Sequence, residues 1–255
     1  MSHKILVIDI GNTKSKIAVA QDGKLCSEVI LSDHETTVRD ALKISQQHKT
    51  AGCLVSSVAE GAVKMIKRMR ASGMWVKLLT ADMTLPFTID YATPTTLGTD
   101  RIAATAGVVA NFGLVDTLII DAGTAITYDY LTADGHFLGG CISPGVSMRF
   151  RALHAFTAKL PLTDPTDDTG GFYGTDTRSA IAIGIMVGLR AETNAHISNF
   201  RKQKPNSIVV ITGGNNKYFE LTTEMSIFVR PNLVLEGLAD IANANINQLI
   251  RPIQS

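Results

Sequence analysis

Three acidic residues stand at positions where a carboxylate could bind a metal ion or accept a proton. Asp9 and Asp121 each follow a short apolar run and open a glycine-containing turn, DIGNT and DAGTA respectively. A carboxylate beside such a turn can hold Mg²⁺ through water, while the backbone N–H groups of the turn donate to phosphate oxygens. Asp100 begins a helical pattern after Gly98 and could serve as a base, although an acid at a helix start is also a common helix-stabilising device.

The elements that must position these acids form two similar halves. Apolar strands are predicted directly before Asp9 and Asp121, and an alternating strand follows each turn. The two acids lie 121 − 9 = 112 positions apart, so each pattern opens about half of the 255-residue chain. This repeat predicts an α/β fold of two duplicated domains, residues 1–114 and 115–255, with a nucleotide in the cleft between them. For either turn taken alone, an ordinary hairpin is the alternative.

The remaining pattern supplies further strands and helices. Helices are predicted at 38–47, 62–72, 97–112, 146–156, 177–196 and 233–245, strands at 25–30, 53–58, 75–79, 136–142 and 207–212, and a long loop at 160–174. Thr212-Gly213-Gly214 follows one of these strands. Paired glycines there allow a purine ring to lie against the backbone, and a simple loop is the alternative.

Composition excludes several classes of function. The 24 basic and 23 acidic residues nearly cancel and form no basic block, so neither nucleic acid nor a membrane is an expected partner. The start of the chain lacks the apolar segment of a signal peptide, and the apolar runs are too short to span a bilayer. Cys26, Cys53 and Cys141 lack metal-site spacing and are typical of buried thiols, which predicts a cytoplasmic location. The phosphate-loop, G-x-G-x-x-G and H-E-x-x-H motifs are absent.

Six motifs in their order along the chain resemble type III pantothenate kinase, and the match runs nearly end to end. They are DIGNT (Asp9–Thr13), YATPTTLGTDR (Tyr91–Arg101), DAGTA (Asp121–Ala125), GGCISPG (Gly139–Gly145), TGG (Thr212–Gly214) and LVLEGL (Leu233–Leu238). The resemblance implies two RNase H-like domains of the acetate and sugar kinase, Hsp70 and actin superfamily. It also implies ATP-dependent phosphorylation of pantothenate to 4′-phosphopantothenate, the first step of coenzyme A synthesis.

The resemblance further implies a set of site residues. Asp100 would be the catalytic base, Asp9 would anchor Mg²⁺ through water, and Asp121 would hold K⁺ or NH₄⁺. ATP would be bound by Asp9, Ile10, Gly11, Asn12, Thr13, Lys14, Ser15, Lys16 and Thr124, although Lys16 occupies a position that varies in the family. Pantothenate would be bound by Tyr91, Gly98, Thr99, Asp100, Arg101 and Thr177. Arg101 would either pair with the pantothenate carboxylate or shape the pocket wall.

A homodimer whose partner subunit closes the pantothenate pocket is also implied. The helix at 97–112 is its expected contact because Ile102, Val108, Val109 and Phe112 lie among alanines, and burial of this face within its own domain is the alternative. Two other functions stay open. One is a kinase of the same superfamily that acts on another small alcohol or acid, and the other is a nucleotide-binding regulatory protein without catalysis. The presence of all three acids weighs against the second.

Overall fold

The computed structural model describes residues 2–57, 61–165, 173–218 and 226–250. Within these ranges the strands are β1 (Lys4–Ile10), β2 (Ser15–Gln21), β3 (Lys24–Leu25), β4 (Ile30–Ser32), β5 (Gly52–Ser57), β6 (Val76–Leu78), β7 (Thr88–Ile89), β8 (Thr117–Ala122), β9 (Ala125–Leu131), β10 (His136–Pro144), β11 (Ile208–Thr212) and β12 (Ile227–Val229). The α-helices are α1 (Thr37–His48), α2 (Ala62–Ala71), α3 (Thr99–Phe112), α4 (Val146–Ala155), α5 (Thr177–Gln203), α6 (Leu233–Ala244) and α7 (Ile246–Leu249). Residues 166–172 of the predicted loop lie outside the described residues.

The chain divides into two compact units. The first unit comprises Met1–Val115, Leu131–Leu138 and Asn232–Ser255, and the second comprises Asp116–Tyr130 and Gly139–Pro231. Helices α6 and α7 therefore belong with the first unit, although they lie at the end of the chain. The division into sequence halves at 114 and 115 stays a prediction, because these units are defined by packing and not by the repeat.

The sheet of the first unit has the order β3-β2-β1-β5-β6, with β4 also paired to β2. Strand β1 is antiparallel to β2 and parallel to β5. Alternate side chains of β1 point to opposite faces, and Leu6, Ile8 and Ile10 join the apolar core beneath α1 and α2. Val7 and Asp9 therefore face the other way, towards the side on which α6 packs against β1.

Helix α3 packs closely against α6 within the first unit. Its residues 101–108 are all buried, and the backbone of Ala103 lies against Gly237 of α6. Ile102 and Val108 are therefore buried within their own chain, as in the alternative to a dimer contact, and these two side chains are not available to a second copy. Whether a partner subunit covers the rest of the helix stays a prediction.

The second unit repeats the sheet order of the first. Its strands run β12-β11-β8-β9-β10, so β8 takes the central place of β1, β9 that of β2 and β11 that of β5. Strand β11 is parallel to both β8 and β12. Helices α4 and α5 cover an apolar core on this sheet, built around Tyr128, Phe150 and Met186. The predicted duplicated α/β architecture is confirmed.

Two predicted elements differ from the observed bounds by more than two residues. The strand predicted at 25–30 is interrupted, because the Ser27 hydroxyl accepts a hydrogen bond from the backbone N–H of Val19 (2.9 Å) and so takes the place of a ladder partner. Strand β3 therefore ends at Leu25 and β4 begins at Ile30. Helix α5 continues seven residues beyond the predicted end at 196, since Ile197 and Phe200 extend its buried stripe.

Candidate active site

Asp9 lies near the end of β1, between β2 and β5. Its neighbours across the sheet are Lys16 on β2 and Ser56 on β5. Because the side chain is on the face opposite the α1 and α2 core, it projects towards the side where α3 begins. A carboxylate on a central strand is thus presented at the point where β1 gives way to its turn.

The turn after β1 is closed by a hydrogen bond from the backbone N–H of Gly11 to the carbonyl oxygen of Lys14 (3.1 Å). Asn12, Thr13 and Lys14 are exposed at its tip, whereas Ile10 and Ser15 are fully buried. The Ser15 hydroxyl accepts a hydrogen bond from Thr37 of α1 (3.0 Å). The exposed part of the predicted ATP-binding segment is therefore its middle, and the side chains of Ile10 and Ser15 belong to the core.

Thr99 fastens the start of α3 to the end of β5. Its hydroxyl accepts from the backbone N–H of Ser57 (2.9 Å), donates to the carbonyl of Ser57 (3.2 Å) and lies 3.2 Å from the Ser56 hydroxyl. Gly98 precedes it, and a side chain there would place its Cβ only 2.5 Å from the Asp100 carboxylate. This tether fixes Asp100 at the end of β5, the strand that pairs with β1, where Asp9 lies opposite Ser56.

The two carboxylates influence each other. Burial raises the pKa of Asp9 to about 7, and the negative charge of Asp100 adds to the shift, while Lys16 and the Ser56 hydroxyl act in the opposite direction. Burial also raises the pKa of Asp100, against the backbone N–H of Arg101, which donates to it (2.8 Å). Two nearby acids with raised pKa values are typical of a functional site, since burial of unpaired charge is costly.

An aromatic wall stands beside these acids in the first unit. The Arg101 guanidinium lies 5.6 Å from the ring centroids of both Tyr91 and Phe137, and the arginine is only 6% exposed. The two rings are 6.4 Å apart. The structure therefore brings the predicted residues Tyr91 and Arg101 together, and it adds Phe137, which no motif indicates.

The second acidic turn, between β8 and β9, is packed against two glycine segments. The parallel register places Thr212 of β11 opposite Asp121, and the next residue, Gly213, has φ +90°. A Cβ at Gly213 would lie 2.5 Å from both the Asp121 carboxylate and the backbone of Ala122. The backbone N–H of Gly145 donates to the carbonyl of Thr124 (3.0 Å). The DAGTA, TGG and GGCISPG motifs, separate in sequence, thus meet at one turn.

Two residues near the turns are not indicated by the sequence motifs. His34 Nε2 lies 2.9 Å from the carbonyl oxygen of Gly11, and Asn215 Nδ2 donates to the carbonyl of Gly123 (3.1 Å). The sequence alone favours a surface or structural role for His34 and a simple loop position for Asn215. Neither contact belongs to a recognisable local pattern, because His34 is 23 residues from Gly11 and Asn215 is 92 residues from Gly123.

A charged network holds the GGCISPG segment onto α5. Arg149 donates to the Ser143 hydroxyl (2.8 Å) and to Glu192 (2.7 Å), and the Tyr128 hydroxyl donates to Glu192 (3.2 Å). Burial opposes ionisation of Glu192, yet Arg149 and Ser143 lower its pKa below the usual value. Burial raises the pKa of Tyr128 to about 12. These hydrogen bonds join β9, β10, α4 and α5 within the second unit.

Thr177 is the first residue of α5, in the second unit, and is exposed. The preceding residue, Asp176, caps the helix by accepting from the backbone N–H groups of Arg178 and Ser179. Thr177 therefore has a rigidly defined position. The other predicted pantothenate residues, Tyr91 and 98–101, all belong to the first unit.

The described ranges contain neither a membrane-spanning helix nor a cluster of three metal-ligating side chains. Every helix in them is too short or too polar to cross a membrane. Among the same residues, we find no group of three or more His, Cys, Asp or Glu side chains that could hold a metal ion.

Comparison with known proteins identifies the family. A family model described as type III pantothenate kinase matches residues 5–199. A relative of that name from Christiangramia forsetii is 37% identical over 248 residues, which cover 95% of this chain and 99% of that protein. A solved structure named for the Baf family of transcriptional activators, from Campylobacter jejuni, has a TM-score of 0.63 at 20% identity and covers 95% of this chain and 99% of its own. The ROK hexokinase of Thermus thermophilus has a TM-score of 0.50 at 14% identity, with 93% and 98% covered, so both structures support the fold alone. This chain belongs to the type III pantothenate kinase family.

Proposed function

We propose that this chain transfers the γ-phosphoryl group of ATP to the primary hydroxyl of pantothenate and so forms 4′-phosphopantothenate. Membership of the family and the name shared by its relatives support this reaction. The single observation that carries it is the pair formed by Asp9 and Asp100, two interacting carboxylates beside an exposed glycine turn. Transfer of a phosphoryl group to an alcohol needs a proton acceptor and a place for the phosphates, and this arrangement supplies both.

Asp100 is the proton acceptor in this proposal. It orients the hydroxyl of pantothenate and takes its proton as the oxygen attacks the γ-phosphorus in line. Phosphoryl transfer leaves the protein little covalent work, so positioning and charge stabilisation account for most of the rate. The raised pKa makes Asp100 a stronger base than an ordinary aspartate, and the Thr99 tether to β5 fixes its direction.

The first turn binds the phosphates of ATP. The backbone N–H groups of Asn12 and Thr13 and the exposed side chains of residues 12–14 are the proposed donors, with Lys16 behind them on β2. The N–H of Gly11 closes the turn onto the Lys14 carbonyl and is not among them. The residues fit Mg²⁺, because this ion is commonly held by one or two carboxylates together with water and phosphate oxygens. Asp9 would hold it, and the ion would neutralise charge on the transferring phosphoryl group. The Asp9 pKa of about 7 fits such a site, since a cation relieves the repulsion from Asp100.

The second turn binds a monovalent cation, K⁺ or NH₄⁺, through Asp121. The Asp121 carboxylate fits a hard cation, because such ions are bound through oxygen ligands. Thr124 donates to phosphate, and the backbone at Gly213 and Gly214 offers a flat surface for adenine. Adding K⁺ or NH₄⁺ to a Na⁺ buffer is expected to raise the rate, and Asp121→Ala is expected to lose that response. Equal rates with and without K⁺ would remove this assignment.

Pantothenate is held by Tyr91, Gly98, Thr99, Arg101 and Thr177 in this proposal. The Arg101 guanidinium makes cation–π contacts with the rings of Tyr91 and Phe137, 5.6 Å from each centroid. Stacking of this kind fixes a guanidinium in the wall of a pocket, which favours the second of the two roles that the sequence left open.

A homodimer is proposed through α5 and not through the buried face of α3. Exposed small residues recur on α5 at helical spacing from Thr177, namely Ala180, Gly184, Val187, Gly188 and Ala191. Phe156, at the end of α4 in the same unit, is 88% exposed. Exposed apolar and small residues clustered on neighbouring helices are typical of a protein–protein interface. A stable interface buries about 1,200 Å² or more in total.

A charge placed on this surface tests the dimer. Val187 is 48% exposed on α5, and Val63 is 61% exposed on α2 of the first unit, so they form a matched pair. Val187→Glu is expected to convert a dimer of about twice 27.3 kDa into a less active monomer. Val63→Glu is expected to leave mass and activity unchanged. A fully active monomer of the parent protein in light scattering would refute the dimer.

The test of the function is a coupled assay of ADP release with and without pantothenate. Release that depends on pantothenate, with 4′-phosphopantothenate as product, is the expected result. Release that depends on another small alcohol or acid would indicate a different kinase of the superfamily. ATP binding without release under any of these conditions would indicate a regulatory protein. All three cysteines are free thiols, which supports the cytoplasmic location that we propose. Their predicted burial is correct for Cys53 and wrong for Cys26 and Cys141, which are exposed.

A further inference from the structure

His34 contacts the backbone of the first turn from a loop that precedes α1. Its Nε2 atom lies 2.9 Å from the carbonyl oxygen of Gly11, and the side chain is half-buried. A carbonyl oxygen can only accept a hydrogen bond, so Nε2 must carry the hydrogen and donate it. The imidazole thereby fixes the direction of one carbonyl in the turn.

Fixing this carbonyl also fixes a backbone donor. The carbonyl of Gly11 and the N–H of Asn12 belong to the same planar trans peptide unit, in which the C=O and N–H bonds point in opposite directions. A hydrogen bond that holds the Gly11 oxygen towards His34 therefore holds the Asn12 N–H away from it. Asn12 is exposed at the tip of the turn, where phosphate binding is proposed.

The loop around His34 is itself anchored to the turn. The Thr37 hydroxyl lies 3.0 Å from that of Ser15 in the core and 2.9 Å from the carbonyl of Asp33. The Lys14 ammonium lies 3.5 Å from the Asp33 carboxylate on the outside. The imidazole is thus held between a buried contact and a surface contact, so its position relative to Gly11 is well defined.

The second turn has the same device. There the Asn215 amide donates to the carbonyl of Gly123, which belongs to one peptide unit with the N–H of Thr124. Glycine occupies the equivalent place in both turns, and in both its carbonyl accepts from a side chain far away in sequence. Recurrence in both units indicates that holding this peptide is a property of the turn and not an accident of one loop.

We propose that His34 is a positioning residue for nucleotide binding, which orients the Asn12 peptide so that its N–H meets a phosphate oxygen of ATP. This inference rests on the proposed function, because it assumes that the first turn binds ATP. His34 does not touch the reacting atoms, so it changes the affinity for nucleotide and leaves the transfer step unchanged.

Calorimetric titration with ATP and Mg²⁺, without pantothenate, tests the proposal on three variants. His34→Leu removes the donor, whereas His34→Gln keeps a donor at nearly the same reach. His154→Leu is the control, because His154 makes the same kind of contact, to the carbonyl of Leu160 (2.8 Å), within the second unit. A lost hydrogen bond of ordinary strength predicts a Kd for ATP raised about three- to tenfold in His34→Leu. The Kd should stay within about twofold of the parent value in His34→Gln and in the control.

Steady-state kinetics separate positioning from a general loss of structure. In His34→Leu the KM for ATP should rise with the Kd, while kcat and the KM for pantothenate stay within about twofold. If His34→Leu does not fold, His34→Asn replaces it, since its shorter amide cannot reach Gly11 and should weaken ATP binding to a similar extent.

A Kd for ATP in His34→Leu equal to that of the parent protein would overturn the inference. A Kd for ATP in His34→Gln as high as that in His34→Leu would also overturn it. An equal rise in the KM for both substrates would also overturn it. These outcomes are distinct from failure of the proposed function, in which the parent protein binds ATP but does not phosphorylate pantothenate.

Discussion

Asp9 and Asp121 occupy equivalent places in the two units, each on a central strand before a glycine turn, yet their surroundings differ. Asp9 lies near a second carboxylate, that of Asp100, and near the Ser56 hydroxyl at the end of β5, which in turn contacts the Thr99 hydroxyl. Asp121 faces the backbone of Gly213 so closely that no side chain fits between them. The first turn is therefore surrounded by a second acid and by hydroxyl groups, whereas the second turn is surrounded by backbone.

This difference indicates how a duplicated fold divides its work. The repeat supplies the same strand, acid and turn twice, and the segment that packs beside each turn decides its chemistry. Beside the first turn that segment is the start of α3, which brings Asp100. Beside the second it is the end of β11, which brings a glycine pair suited to a flat ligand. We therefore assign proton transfer to the surroundings of the first turn and adenine binding to those of the second, while both turns contact phosphate, and three predictions test this contrast.

The largest expected effect is that of Asp100→Asn. The amide cannot accept a proton, so kcat should fall about 10²- to 10⁴-fold while thermal melting still shows a cooperatively folded protein. Asp22→Asn is the control, because Asp22 is an exposed hairpin acid with φ +51°, a conformation that asparagine tolerates. A kcat for Asp100→Asn within about threefold of the parent value would remove Asp100 as the base.

Adjacent glycines in the second unit give the next effect. Gly213→Ala should lower the free energy of unfolding by about 2–4 kcal/mol, because φ is +90° and the new Cβ would strike Ala122 and Asp121. Gly214→Ala should change it by no more than about 0.5 kcal/mol, since no atom of the described residues lies within 4 Å of the place that its Cβ would take. Urea titration of both variants measures the difference. Equal stability would show that the close approach to the Asp121 turn is not required.

The smallest effect concerns pH and Asp9. With a folded pKa of about 7 against 3.8 for an ordinary aspartate, the folded protein binds more protons than the unfolded chain between these values. The free energy of unfolding therefore falls as pH rises through this window. Asp9→Asn removes this loss, so its stability relative to the parent should be greater at pH 8 than at pH 5 by about 1–3 kcal/mol. Urea titrations without nucleotide or divalent cation check this, and a gap that is the same at both pH values would contradict the shift.

The sequence predicts what is local in this molecule. Apolar runs, glycine turns and the 112-residue spacing of the acids are sufficient for the duplicated α/β fold, and the motif order is sufficient for the family. The interruption of the third strand is not predicted, because a side chain of Ser27 replaces a backbone partner. The burial of Ile102 and Val108 within the chain is not predicted either, because a sequence does not tell that α6 packs against α3. A dimer contact through the rest of α3 stays a prediction.

The contacts that distinguish the two turns are also beyond the sequence. His34, Asn215 and Phe137 reach their partners across long separations and belong to no short motif. The raised pKa of Asp9 arises from burial and from Asp100, 91 positions away along the chain (100 − 9). Such properties depend on tertiary packing, so they become visible only in the structure.

A rapid-quench single-turnover experiment tests most directly whether Asp100 beside the first turn serves phosphoryl transfer while Asp121 at the second turn serves ATP binding. Asp100→Asn and Asp121→Asn are compared with saturating ATP, Mg²⁺, K⁺ and pantothenate, and the Kd for ATP is measured on both. We expect Asp100→Asn to slow phosphoryl transfer about 10²- to 10⁴-fold with little change in Kd. We expect Asp121→Asn to weaken ATP binding and to keep the transfer rate within about tenfold of the parent value. Transfer slowed as much by Asp121→Asn as by Asp100→Asn, or slowed only by Asp121→Asn, would contradict this division.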